Sequence, residues 1–541
     1  MHTLVRRSTA LLAVPALSLT ALAATSAPAA AATDPAPAAA SAAWLAGQVP
    51  DSGLFPSDYG PQYGLGIDVA LGLHAVGGQE ATVTRIRDAV EAGVNDYIAY
   101  SYDDKGVTHT GESGGSTAKV LVLAQRVGGD EHAFGGVDLV ERLDSLVADS
   151  GRVISTADGA PDDSYDNTYI QALAAEGLRG TGSTAYAAAV DYLLDQQCPA
   201  GFFRGDIPAA PGAQSCGAGD EPDTDSTSQA VLALAGDATA PGVADALARA
   251  KTWLLDSQRA NGAFGGGPTT EAPNTNSTGL AASALATLGA TDAAADAASW
   301  IRAHQAANVA NCVYYAAADL GAIAYDDAAL KAIQSGGAID AATQGQFLMA
   351  TAQALPALQW APAGTGEPHA LFAAEYVRAG GFKPVGVIDA APGEALCAML
   401  GEQSVLGYAD TSGEAQLRVR IPATTGKSRV TVANAAGTIN KVTINALGRT
   451  RLKLTLKARV APGAKQVIKI AGLAPGEIGT AKITWPAKGS SGAGEGASGQ
   501  ANGKGVLVFR TKVPNRPGKA KVVVRGQFAH RKAAGSFTVT R

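Results

Sequence analysis

The residues best suited to chemistry are Asp223-Thr-Asp225-Ser226-Thr227, which open an apolar run continuing through Gln229-Ala-Val-Leu-Ala-Leu234. Two carboxyl groups two residues apart can exchange protons with a bound molecule, so Asp225, with Asp223 beside it, is the candidate catalytic residue. The same residues suit a helix cap, because short side-chain oxygens accept the unpaired N–H groups of a first turn. Asp68, Asp166 and Asn276 fall at or near the starts of comparable runs. With Ser226 they form a set of candidate binding residues on one rim. Two carboxylates facing across a cavity is also the arrangement of glycoside hydrolysis. His74 and His304 read as packed or surface side chains. The seven His are scattered and no Cys-x-x-Cys or His-x-x-Glu-His occurs, so no metal is expected. Nucleic-acid binding and nucleotide chemistry find no motif.

The elements that must position these residues repeat. An aromatic or apolar position before a polar helix end recurs at Trp44, Val94, Leu143, Tyr192, Trp253 and Trp300, in steps of 50, 49, 49, 61 and 47 residues. A second helix opening aligns at Gly66, Ser116, Asp166, Asp225 and Asn276, and one insertion between Cys198 and Cys216 explains the long step in both series. The second helices are apolar nearly all round and must be buried, whereas the helix carrying Trp253 offers Lys251, Asp256 and Arg259 to solvent. About six such pairs make a ring that can close on itself.

The Trp253-x₄-Gln258-x₃-Gly262-x-Phe264 spacing, followed by Asn276-Ser-Thr, resembles the α/α-toroid superfamily of terpene cyclases, protein prenyltransferase β-subunits and intrinsic-factor-like proteins. It is more similar still to the prenyltransferase/squalene-oxidase-repeat proteins that actinobacteria export. The resemblance covers residues 41–380 and implies an (α/α)6 toroid. Matched to the Asp-x-Asp-Asp-Thr of proton-initiated cyclases, Asp223 takes the first position and Asp225 the donor's, but Ser226 stands where the last carboxylate belongs. The intrinsic-factor branch implies cobalamin as an alternative ligand.

Residues 1–32 have the layout of a cleaved secretory signal: Arg6-Arg7, an apolar stretch from Leu11 to Ala24, then small residues to Ala32. A linker, 33–40, follows. Beyond Gly380 the texture turns to alternating and β-branched strands, which predict two immunoglobulin-like β-sandwiches at 381–458 and 459–541, with a Gly/Ser-rich loop at 487–505 in the second. Residues 381–541 hold 25 Lys and Arg against 7 Asp and Glu, a net +18, and the remainder of the chain carries −24. That basic region is suited to holding the protein near an anionic cell-wall polymer. In an oxidising compartment Cys198 and Cys216 should pair across the insertion. Cys312 and Cys397 remain, and would clamp the first sandwich to the toroid if they pair.

The 541 residues contain 5 Trp, 14 Tyr and 11 Phe, a thin supply for the aromatic walls that shelter carbocations. The expectation is therefore an exported, non-catalytic protein that binds a small molecule or a wall polymer, without spanning a membrane. A cobalamin carrier, a degenerate cyclase and a carbohydrate-active enzyme stand as alternatives.

Overall fold

The computed structural model describes residues 32–162, 166–209, 212, 214–334, 338–371, 376–486 and 494–541. The segment read as a signal, up to its last residue, lies outside them. The chain runs through helices α1 (Ala36–Gln48), α2 (Tyr63–Val76), α3 (Glu80–Ala92), α4 (Val94–Ile98), α5 (Gly114–Val127), α6 (Leu139–Ser145) and α7 (Thr168–Leu178). There follow α8 (Tyr186–Asp195), α9 (Thr224–Leu234), α10 (Val243–Ser257), α11 (Thr275–Thr287), α12 (Thr291–Ala303), α13 (Asp327–Gln334) and α14 (Gln344–Ala354).

Six of these close a ring. α2, α5, α7, α9, α11 and α14 each pack on the next, and α14 packs back on α2. Their Ala and Gly content lets backbones approach closely. At the closure α14 is wedged between two glycines: a Cβ on Gly72 would stand 2.5 Å from the Ala352 carbonyl oxygen, and one on Gly279 2.6 Å from Ala354 Cα. The outer helices bury a single stripe. In α10 it is Val243, Ala246, Leu247, Ala250 and Leu254, at helical spacing. Of the six repeat positions, Trp44, Leu143, Tyr192, Trp253 and Trp300 lie within outer helices and Val94 opens the short α4.

Two local expectations change. α1 begins inside the stretch expected as a linker, because Pro35 and Pro37 fall where a helix tolerates missing N–H groups and an Ala run follows. Asp34 before it pairs with Arg302 at 2.8 Å. A four-stranded antiparallel sheet, β1 (Ala99–Asp104), β2 (Val107–Glu112), β3 (Ser155–Ala157) and β4 (Ala160–Asp162), interrupts the helical region ahead of α5 and α7. Asp103 and Asp104 end β1, and Asp162 ends β4.

The C-terminal region is β-rich, with several sheets. Its first unit contains β5 (His369–Leu371), β6 (Tyr376–Arg378), β7 (Phe382–Ile388), β8 (Ala395–Leu400), β9 (Gln403–Tyr408), β10 (Ala415–Arg420), β11 (Gly426–Asn434) and β12 (Gly437–Leu447). The second contains β13 (Lys453–Thr455), β14 (Arg459–Val460), β15 (Lys465–Ala471), β16 (Ile478–Thr484), β17 (Gly494–Gln500), β18 (Val506–Lys512), β19 (Gly518–Arg525) and β20 (Lys532–Val539). Each unit packs a three-stranded sheet (β10-β7-β5; β18-β15-β13) over a five-stranded one (β6-β12-β11-β8-β9; β14-β20-β19-β16-β17) with one core between. The two strand orders are the same, position for position. The first strand of each unit precedes the boundary expected at 381 or 459, since short opening strands carry little periodicity. Gly494–Gln500, expected as part of a loop, is an edge strand: small residues add no packing, but all seven pair with β16 through the backbone. Residues 487–493 of that expected loop lie outside the described residues.

Both cysteine pairs are bonded. Cys198–Cys216 closes the insertion, and Cys312–Cys397 ties the segment after α12 to β8. Among the described residues no helix is long and apolar enough to cross a membrane.

Candidate functional site

Side-chain caps on α5, α7, α9 and α11 fix which residues of these inner helices face the ring's axis. Asp223 Oδ1 accepts the Ser226 N–H at 2.7 Å, Asn274 Oδ1 that of Ser277 at 2.8 Å, and Asn167 Oδ1 that of Ile170 at 2.9 Å. The caps therefore lie two residues before Asp225 and Asn276, and one after Asp166. In two repeats a threonine locks the register. Thr227 Oγ1 accepts from the Phe203 N–H and donates to the Asp223 carbonyl, and Thr278 does the same between Phe264 and Asn274. The aromatic turn and the next helix start are thus one hydrogen-bonded unit.

Counting two, six and nine residues from these caps gives Asp225, Gln229 and Leu232; Asn276, Leu280 and Ser283; and Tyr169, Leu173 and Glu176. All of them line a central cavity of about 650 Å³. α2 and α5 add Asp68, Leu71, Lys119 and Val122 at the same spacing, which is one face of a helix. Asp223, Ser226 and Asp206 lie at the helix starts, while Arg126 and Trp360 contribute from other turns.

Most of the charge here is paired. Lys119 Nζ meets Asp68 Oδ1 at 2.8 Å and also donates to the Gly64 carbonyl at 3.1 Å. Burial alone would discharge Lys119, but Asp68 and Tyr97 hold its ammonium above the usual range. The buried Glu176 carboxylate takes Arg126 through Oε1 and the Gln229 amide through Oε2 at 3.1 Å. Burial pushes the Tyr169 phenol up, and the carboxylates of Asp68, Asp225 and Glu176 around it push further.

Asp225 differs from these. Its Oδ1 and the Asn276 Oδ1 are buried without a hydrogen-bond partner among the described residues. Burial drives the Asp225 carboxyl up to about 6; hydrogen bonding from Ser277 opposes this, and the Asp223 charge adds to it. A carboxylic acid with that pKa can give or take a proton near neutral pH. Ionised, it keeps the Ser277 hydrogen bond but has no donor for Oδ1 among the described residues.

Of the residues singled out from the sequence, Asp225, Asp223, Ser226, Asn276 and Asp68 converge on the cavity. Asp166 does not. It is buried beside Arg152, Nε to Oδ2 3.1 Å, and Arg152 continues to the Pro208 carbonyl at 2.9 Å and Gln214 Oε1 at 3.1 Å. This pair fastens the insertion closed by Cys198–Cys216. The alignment erred at that helix because Asn167 caps it, leaving Tyr169 at the position equivalent to Asp225. His304 is packed, between the Trp300 carbonyl and Asp327, whereas His74 lines the cavity. Lys119, Arg126, Tyr169, Glu176 and Gln229 went unrecognised in the sequence. The cap-based count would have found all but Arg126.

No protein-family model and no curated protein matches the chain. Among solved structures, it is similar to the type II terpene cyclase MstE from Scytonema, with 15% identity and a TM-score of 0.40 over 60% of this chain and 97% of the cyclase. It is also similar to an unsaturated glucuronyl hydrolase from Bacillus sp. GL1, with 13% identity and a TM-score of 0.38 over 60% of this chain and 95% of that one. Both are α/α-toroid proteins. A further likeness, to the adhesin InvE from Yersinia pseudotuberculosis, has 16% identity and a TM-score of 0.19, and spans 32% of this chain and 58% of the adhesin.

Proposed function

We propose that the protein is an exported, non-catalytic binding protein whose ring cavity receives a saccharide-sized molecule rich in hydrogen-bond donors, and whose two β units are immunoglobulin-like. One observation carries the reading: six helices converge on a cavity in which Asp68 and Glu176 are paired, yet among the described residues Asp225 Oδ1 and Asn276 Oδ1 are buried and unpartnered. Leaving such acceptors unpaired is costly, and a ligand hydroxyl or ammonium group toward which the two cavity-lining side chains turn supplies what they lack. The volume lies within the range that encloses a small molecule. Two disulfides accord with export.

A second reading, acid catalysis, draws on the raised pKa of Asp225. Against a cyclase stands the wall itself, where among the described residues only Tyr169 and Trp360 bring aromatic rings. Titration calorimetry with glucosamine, chitobiose and maltose tests the proposal. At least one should bind, and Asp225→Asn should weaken it about tenfold or more, the worth of a hydrogen bond to a charged group. Failure of all three to bind, or binding indifferent to Asp225→Asn, would overturn the saccharide reading. A mass change in the recovered sugar would overturn the non-catalytic one. Retention of cobalamin absorbance after desalting would assign the cavity to a corrinoid instead.

A further inference from the structure

The two β units share one topology, so each face of one has a counterpart in the other. In the first unit the outer face of the five-stranded sheet is an interface: Cys397, Met399, Leu406 and Tyr408 point away from the unit's own core and pack on the ring. The equivalent face of the second unit is open and carries different chemistry. β16 and β19 alternate regularly between core-facing and exposed residues, and β20 keeps step with them. The register sets Arg459 beside Thr538 and Lys519 in one row, Lys521 between Ser536 and Thr484 in the next, then Lys482 beside Val523, and Arg525 between Lys532 and Thr480.

All six cations are exposed, and none of the outward positions on β14, β16, β19 or β20 is a carboxylate. Among the described residues none of the six forms an ion pair. Arg525 and Lys532 stand directly opposite one another, a cross-strand arrangement that costs stability until an anion comes between them. A cleft of about 480 Å³, lined by Arg459, Thr538 and Arg541 among others, indents one end of the face.

We infer that this face binds a flexible, single-chain polyphosphodiester of the polyol-phosphate kind. Lys519 and Lys521, two residues apart on β19, stand about 7 Å apart and the opposed Arg525 and Lys532 about 5 Å, close to the spacing of charges along such a backbone. The face is a sheet without a protruding helix or ribbon, so it has nothing to insert into a duplex groove. It presents no aromatic side chain, and single-stranded nucleic acids are held by stacking their bases on such rings. Protein partners bury apolar centres from which Lys is depleted, whereas this face carries Lys482, Lys519, Lys521 and Lys532 with only a scatter of apolar side chains such as Val523 and Ile478. The site is separate from the ring cavity, and its failure leaves the saccharide proposal untouched.

The test uses the full-length protein and immobilised poly(glycerol phosphate) at 50 and 200 mM NaCl. Six phosphate contacts predict a slope of about −4 for log affinity against log salt, a loss of roughly 250-fold across that range. The triple variant Lys482→Gln/Lys521→Gln/Arg525→Gln should weaken binding at 50 mM at least tenfold and reduce the slope to about −2. An equal charge change on the opposite sheet, Lys465→Gln/Arg510→Gln/Lys512→Gln, should alter affinity less than about threefold. Equal losses in the two triples would mean that net charge alone is responsible, and would overturn the site. Oligothymidylate of matched charge binding as tightly would overturn the polymer class. Low-salt self-association abolished by the first triple would give the face to the acidic ring of a second copy, and would likewise overturn the proposal.

Discussion

Asp223 and Asp225 stand two residues apart and do opposite things for the fold. Asp223 caps α9, so Asp223→Ala should cost about 1 kcal/mol, read as a lower denaturant midpoint. Asp225 is a buried acid whose charge the folded state opposes. Its folded pKa of about 6 lies above the ordinary 3.8, so its contribution to stability is fully present below about pH 4 and is withdrawn as pH rises through 6. Asp225→Asn removes that dependence. The variant should be more stable than the parent at pH 7, by up to about 3 kcal/mol, and should match it near pH 4. Urea titrations at the two pH values measure the difference. A variant less stable at pH 7 would show that the carboxylate is anchored in the fold instead of being held for a ligand.

Ring closure rests on helices that touch through their backbones. α14 is held between α2 and α11 where Gly72 and Gly279 leave no side chain, and a methyl group there would overlap backbone atoms. Gly72→Ala should therefore destabilise the protein by about 1–3 kcal/mol, although alanine is the better helix former. Gly345→Ala, at the open start of α14 where nothing stands within 4 Å, supplies the contrast: it should be neutral or stabilising by up to about 1 kcal/mol. Chemical denaturation of the two variants separates close packing from helix propensity. If both rise together, the glycines are incidental and the inner helices are not in backbone contact.

The ring and the first β unit share an interface, whereas the two β units touch more lightly. Cys397, Met399, Leu406 and Tyr408 of the first unit pack on the ring's core, Gln334 donates to the Tyr408 hydroxyl at 2.6 Å, and a disulfide spans the junction. Between the units, the Tyr376 hydroxyl donates to the Pro475 carbonyl at 2.9 Å and His530 meets the Gly448 carbonyl at 3.3 Å. A chain stopped after Leu447 should keep the melting temperature of the ring. One stopped at residue 365 uncovers the apolar face and should aggregate or melt lower. Differential scanning fluorimetry and size-exclusion chromatography distinguish the cases, and equal behaviour of the two truncations would make the ring independent of its β neighbour.

Local chemistry written along the chain determined the broad plan. The period of about 50 residues, the cap oxygens and the apolar second helices fixed alternating buried and solvated helices, and strand alternation after Gly380 fixed a β region. Cysteines flanking a single insertion pointed to one of the two disulfides. What the sequence left undecided depends on which residues meet across space. A cap moved by one or two residues turns a helix by 100° or 200°, which is why Asp166 was placed on the cavity and Tyr169 overlooked. Lys119 neutralises Asp68 from 51 positions away, and Arg126 engages Glu176 across 50, so only the closed ring separates satisfied carboxylates from Asp225. The cationic sheet face likewise exists only once pairing sets Arg525 opposite Lys532 and turns six scattered side chains the same way.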